Sequence, residues 1–445
     1  MKNYLKQRRD RLSKIFTDPV ILFSGKAPAR NFAANKYPFR ANSHFLYFAG
    51  MPLEKAAIKL ENGNLELFID NPRPSSTLWH GKMPDRDEIA LKIGADAAYP
   101  LSELGDRSRD AVTLSAQLAD CQDKDTKINQ DPKIAAELAK AIVSLRLTHD
   151  EAAIQEIRQA VAVSVEAHQA GIKATPKAKI EAEVRAAIEG VILAANLTTA
   201  YNSIVTVSGE VLHNERYHRS LQNGDLLLAD VGAETVNGWA ADLTRTWPVN
   251  GKYSSTQRDI YDLVLAAHDR CIAKMKPKVE YREIHLLACQ VIAEGLVELG
   301  ILKGKPEDLV EQDAHALFFP HGIGHILGLD VHDMEDLGDL AGYESGRKRS
   351  DRFGLGYLRL DRPLKKDMVV TIEPGFYQVP AILNNKEMRA KYENLVNWER
   401  LKSFNDVRGI RIEDDILVTE TGTEILSAKL TNRADEIEKM MLEID

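Results

Sequence analysis

Cysteine is scarce in this chain. Only Cys121, Cys271 and Cys289 occur among 445 residues. They are odd in number, far apart and in no CxxC pair, so they make neither a disulfide framework nor a thiolate zinc site. Apolar runs long enough for a transmembrane helix are lacking. The first residues, MKNYLKQRRDRLSKIF, are polar and lack the apolar centre of a secretory signal. The expectation is a cytoplasmic protein with buried, inert thiols. An excess of basic charge is also missing. The net charge of −8 argues against nucleic acid or an anionic membrane as partner. With 44% hydrophobic and 28% charged residues the chain reads as globular, and its length suggests two domains.

The first part, residues 1–147, reads as a smaller α/β domain. VILFSG (20–25) is a buried strand. AAIKLENGNLELFID (56–70) alternates around Asn62-Gly63, a hairpin signal. IAAELAKAIVSLRL (134–147) is helical in pattern. The second part, 148–445, opens with Thr148 and Glu151 in capping-box spacing. Ile154, Ile157, Val161, Val165 and His168 follow at helical intervals. Two further helices are expected, one after Thr256 with Ile260, Leu263, Ala267 and Cys271 on one face. The other runs from Tyr281 to Leu299, with Gly300 at its end. The charged, glycine-containing stretch 343–354 reads as an exposed loop.

Histidines concentrate in FFPHGIGHILGLDVHD (318–333), which holds His321, His325 and His332, three of the 12 in the chain. His321 and His325 are four apart, yet position 322 is glycine, so the HExxH zinc-protease pattern is not met. Gly322, Gly324 and Gly328 make a regular helix there unlikely and would allow close backbone approach.

Carboxylates change the meaning of these histidines. Asp230 ends the apolar run DLLLAD (225–230), which faces AADLTRTW (240–247) with Asp242. Glu373 ends MVVTIE (368–373), which faces GIRIEDDILVT (409–419) with Glu413. A carboxylate at the end of a buried strand needs a hydrogen-bond partner or a metal. A three-residue loop at 236–238, with Gly238 left-handed, sets Asp230 opposite Thr244 and leaves Asp230 and Asp242 on one face. In RIEDD, alternation puts Glu413 on the face of Arg411 and Asp414 on the other; Glu413 is preferred because it follows an apolar residue. Four carboxylates and an imidazole suit divalent ions, Mn²⁺ first, with Co²⁺, Zn²⁺ or Fe²⁺ as options. About two dications would balance four acidic groups, with a bridging hydroxide as nucleophile.

LLLADVGAE…WAADLTRTWPVNGKY, PHGIGHILGLDVHD, VVTIEPGFY and GIRIEDDILVTETG together resemble the dinuclear-metal exopeptidases of the pita-bread fold. Within these, the Xaa-Pro aminopeptidases (aminopeptidase P) and Xaa-Pro dipeptidases (prolidases) are most similar. YPFRANSHFLYFAG and TLWHGK resemble that group's non-catalytic N-terminal domain. The resemblance implies an α+β fold, with a curved antiparallel sheet, covering helices and pseudo-twofold halves. It implies Asp230, Asp242, His325, Glu373 and Glu413 as metal ligands, with Asp242 and Glu413 bridging and Glu373 also moving a proton. It places accessory roles on His213, His321, His332 and Arg411, and homodimers or homotetramers are common in the group. Asp230 and Asp242 lie one residue farther apart than the usual pattern, which the longer turn absorbs.

The implied reaction is hydrolysis of the first peptide bond of peptides with proline second. His332 and His213 are the candidates for stabilising the oxyanion and contacting substrate. Arg411 would orient ligands, and His321 would support the site from its edge. Arg359, fourteen residues before Glu373, stands where prolidases place a cation for the proline carboxylate, which favours dipeptide cleavage. The compact segment from His213 to Asp230 favours the aminopeptidase, which is the reading preferred here. A creatinase-like amidinohydrolase and a non-catalytic pita-bread binding protein are rivals that the intact ligand set argues against.

Overall fold

VILF forms β1 (Val20–Phe23), buried at every position. It pairs with β2 (Ala57–Glu61), which turns back into β3 (Asn64–Phe68). Asn62 and Gly63 both take positive φ, 51° and 78°, as a tight two-residue hairpin requires. β4 (Ala97–Tyr99) adds in parallel to β3 and completes the sheet order β1-β2-β3-β4. Helix α1 (Lys2–Ile15) buries Leu5 and Leu12 together with Arg8 and Arg9. Arg8 is neutralised by Asp150 through contacts of 2.7 and 2.8 Å. Helix α2 (Pro132–Arg146) starts at Asp131, whose side chain accepts from the Lys133 amide. These elements belong to one compact unit, which extends to Ile154 and takes in Val236–Trp239 and Asp336–Leu340. The computed structural model describes residues 2–117 and 128–442. Cys121 lies outside the described residues; Cys271 and Cys289 are buried free thiols.

The second unit holds the remaining residues. Helix α3 (Glu151–Ala174) buries Ile154, Ile157, Val161, Val165 and His168 along one face. Its start corrects the expected capping box. The Asp150 carboxylate accepts from the Ala153 amide at 2.9 Å, so Asp150 caps the helix and Glu151 sits in its first position. A carboxylate there satisfies an orphan amide and meets the positive end of the helix dipole. Helices α4 (Ser255–Lys274) and α5 (Tyr281–Glu298) pack on each other. Ser254 and Gln257 cap α4 reciprocally, and Gly300 closes α5 at φ 72°. Among the described residues no helix is long and apolar enough to cross a membrane.

Two three-stranded antiparallel sheets form the floor of this unit. One has β5 (Ile204–Thr206), β6 (Leu226–Asp230) and β7 (Thr244–Pro248), with β6 central. The register sets Asp230 opposite Thr244, and Gly238 lies at φ 89° in the turn, as the longer loop requires. In the other, β8 (Val369–Ile372) pairs with β11 (Asp414–Val418), which pairs with β12 (Thr423–Ile425). Between them β9 (Gly375–Tyr377) pairs with β10 (Gly409–Arg411). A bridge between Thr244 and Glu413 joins the two sheets. The architecture is α+β, with two similar strand pairs meeting at their carboxylate ends.

Candidate active site

The histidine segment reaches the site as an extended chain, not a helix. Ile326 bridges to Val370 on the free edge of β8. Thr371 and Glu373 donate their amides to His325 O and Ile323 O at 3.0 and 2.8 Å. Gly324 makes this approach possible: a Cβ there would lie 2.2 Å from Thr371 O and 2.3 Å from Tyr281 Oη. The same pairing fixes His325 beside the strand that ends in Glu373.

Asp242, His325 and Glu413 offer ligand atoms within 4.8 Å of one another. His325 Nε2 is 3.3 Å from Asp242 Oδ2 and 3.6 Å from Glu373 Oε1. Asp230 joins through Tyr201, whose hydroxyl lies 2.6 Å from Asp230 Oδ1 and 2.5 Å from Asp242 Oδ1. Burial, followed by the nearby carboxylates, raises the Tyr201 pKa, so the phenol stays a donor. All five expected ligands therefore converge, and they line one cavity of 790 Å³.

This donor set matches divalent ions. Burial first, and then mutual repulsion with Asp230, pushes the Asp242 carboxyl up to about 8. Burial and the same aspartates push Glu373 up to about 7 against His325 and Arg411. Glu413 is raised by burial, Asp242 and Glu373. Only cations relieve such crowding while keeping all four groups ionised.

Arg411 is buried behind the carboxylates, where it can orient them as expected. Its Nη2 donates to Asp230 Oδ2 at 2.5 Å, its Nε to Thr244 Oγ1 at 3.1 Å and its Nη1 to Tyr377 Oη at 3.0 Å. Thr244 Oγ1 in turn donates to Glu413 Oε2 at 2.6 Å. His321 Nε2 lies 2.9 Å from Tyr377 Oη, and its Nδ1 is 3.8 Å from Glu373 Oε2. Burial, then Arg411, lowers its pKa to about 3. His321 thus stands neutral at the edge of the cluster, linked to Arg411 through Tyr377.

His213, His332 and Arg359 line the same cavity. The rings of His332 and His325 meet edge-on at 4.3 Å. His332 Nδ1 is 2.8 Å from Glu335 Oε2, and Arg359 Nη1 contacts Glu335 Oε1. Burial lowers the pKa of both His213 and His332, with Arg411 and His325 as the next causes respectively.

Several of these partners escape a sequence reading. Tyr201, Tyr377 and Thr244 carry no motif of their own, although the register already set Thr244 opposite Asp230. Glu335 stands three residues after His332, a spacing that could have flagged it. Asp414, the competitor of Glu413, faces away: it accepts from Arg245 Nη2 at 2.8 Å and lies 3.0 Å from His268 Nε2.

Comparison with known proteins agrees with this geometry. Residues 155–420 match the model of metallopeptidase family M24, and residues 5–118 match that of the aminopeptidase P N-terminal domain. A protein of Podospora anserina named "Probable Xaa-Pro aminopeptidase" is 33% identical over 418 residues, 91% of this chain and 88% of that protein. The Xaa-Pro aminopeptidase of Escherichia coli K12 is 30% identical over 450 residues, covering 95% and 93%. The structure of E. coli aminopeptidase P with the inhibitor Pro-Leu superposes with a TM-score of 0.81 at 27% identity, covering 99% of this chain and 98% of that one. A zinc-substituted form of that enzyme with product gives 0.79 at 28%. The chain belongs to metallopeptidase family M24 and carries the aminopeptidase P N-terminal domain.

Proposed function

We propose that this metallopeptidase is an Xaa-Pro aminopeptidase that removes the first residue of peptides with proline second. The observation that carries the reading is the convergence of Asp230, Asp242, His325, Glu373 and Glu413 on one cavity in a chain similar to Xaa-Pro aminopeptidases along nearly its whole length. Those five residues would hold two divalent ions. Mn²⁺ is the proposed ion, supported by the oxygen-rich donor set. When bound, such ions polarise a carbonyl oxygen and make water acidic enough to act as a nucleophile at neutral pH.

The chain's own groups divide the remaining work. The substrate's free amino group would bind beside the ions and their carboxylates, which supports exopeptidase action. Glu373, the least tethered carboxylate, takes the proton from water and passes it to the leaving proline nitrogen. Tyr201, Thr244 and Arg411 hold the other carboxylates in place. His332 keeps its Nδ1 proton and donates a hydrogen bond through it to Glu335, so neutral His332 presents a lone pair at Nε2 and accepts a substrate N–H. That leaves His213 as the donor to the developing oxyanion. His321 steadies the Tyr377–Arg411 pair.

Arg359 supports a second reading, an Xaa-Pro dipeptidase, because its guanidinium lines the cavity where a proline carboxylate would lie. Assembly as a homodimer or homotetramer and residence in the cytoplasm complete the proposal, supported by the resemblance and by the buried free thiols Cys271 and Cys289. The test is Mn²⁺-loaded protein with Gly-Pro-Gly and Gly-Pro. Release of glycine from the tripeptide supports the aminopeptidase. Cleavage of Gly-Pro alone moves the reading to the dipeptidase, and no release from either sinks both.

A further inference from the structure

Arg359 is not idle in the free pocket. Burial lowers the pKa of His213, His321, His325 and His332, and the charge of Arg359 adds a smaller contribution at each. Yet its guanidinium is engaged by Glu335, whose two oxygens are divided between Arg359 Nη1 and His332 Nδ1. Glu335 lines the same cavity as the metal-binding carboxylates, and its side chain keeps 46% of its exposure. It is therefore on the wall where a substrate would meet it.

We infer that Glu335 is a specificity-determining residue that occupies Arg359 and so disfavours substrates ending at proline. This rests on the Xaa-Pro reading above. A peptide that ends at proline brings a carboxylate to Arg359, where it must displace Glu335 and sit beside a like charge. Each further residue carries the terminal carboxylate outward by about 3.3–3.6 Å, away from that competition. A glutamine at 335 still accepts from His332 Nδ1 and no longer neutralises Arg359. Glu335 thus sets the balance between the aminopeptidase and the dipeptidase readings without touching the reacting bond.

The test uses full-length Mn²⁺-loaded protein and two readouts. Calorimetry with L-proline and with prolinamide reads the carboxylate alone. In Glu335→Gln the preference for proline over prolinamide should rise about three- to tenfold, the loss of one competing charge-assisted contact. The same rise should appear in Glu335→Ala and vanish when Arg359→Gln is added. In kinetics, KM for Gly-Pro relative to Gly-Pro-Gly should fall by a similar factor. An unchanged or lower preference for proline overturns the proposal. So does a drop in kcat for both peptides with the KM ratio fixed, since that marks a structural role only. If the wild-type protein cleaves neither peptide the Xaa-Pro reading fails, while the proline-to-prolinamide preference still decides the role of Glu335.

Discussion

The two strand pairs that supply the carboxylates are built alike but held differently. In the β6–β7 pair, Asp230 is fixed by Tyr201 and Arg411, and Asp242 by Tyr201. In the β8–β11 pair, Glu413 is fixed by Thr244. Among the described residues the Glu373 carboxylate meets only the imidazoles of His325 and His321, at 3.6 and 3.8 Å. Behind this second pair, Asp414 locks onto Arg245 and His268. The difference teaches a division of labour. Three carboxylates are held as fixed ligands by hydrogen bonds that they accept, and the one left loose is free to move a proton.

Breaking the loose member should have the largest effect. Glu373→Ala is expected to lower kcat by about 10²–10⁴-fold, read in steady-state assays beside metal analysis. Turnover near the wild-type level would reverse the assignment of roles. Next comes the lock behind the second pair. Asp414→Ala leaves Arg245 and His268 buried without their carboxylate and should destabilise by about 3–5 kcal/mol, seen as a lower thermal midpoint of the catalytic unit. Burial works against ionisation of Asp414, but Arg245 and His268 outweigh it and hold its carboxyl down to about 2. No change in midpoint would mean that the network is not structural.

Tyr201→Phe tests the first pair. The variant should bind Mn²⁺ about tenfold more weakly, measured by titration against a competing chelator. Equal affinity would show that Tyr201 is not needed to hold these aspartates. The smallest effect is the pH dependence of the metal-free protein. Asp242 and Glu373 are raised to about 8 and 7, so at these two sites the native state binds more protons than the unfolded chain above about pH 4. The contribution of these two groups to apoprotein stability is fully present below the ordinary carboxylate range and is lost as pH rises to about 8. Loading with Mn²⁺ should remove that loss. The double variant Asp242→Asn/Glu373→Gln should lack this loss, and midpoints of wild-type and variant apoprotein that move in parallel from pH 5 to 8 would contradict the crowding of the carboxylates.

Much of the site was legible because its signals are local. An apolar run that ends in Asp or Glu marks a buried charge, and period-two alternation says which residues share a face. The Asp230–Thr244 register followed from one left-handed glycine. The start of α3 was misread because Asp150, two residues after Thr148, was the better cap. Arg411 could be named from the motif, although its burial could not. Tyr201 and Tyr377 were illegible, since a phenol becomes a ligand holder only when the fold brings it to a carboxylate. Glu335 was overlooked because its meaning depends on Arg359, 24 residues away.

The sequence by itself determined the ligand chemistry, the two strand pairs and the family, because each rests on residue type and short spacing. The tertiary structure decided which carboxylate stays loose, which face Asp414 takes, and that Arg359 is engaged by Glu335. Those outcomes depend on contacts between distant segments. Burial there removes water, so each charge must find its partner within the fold.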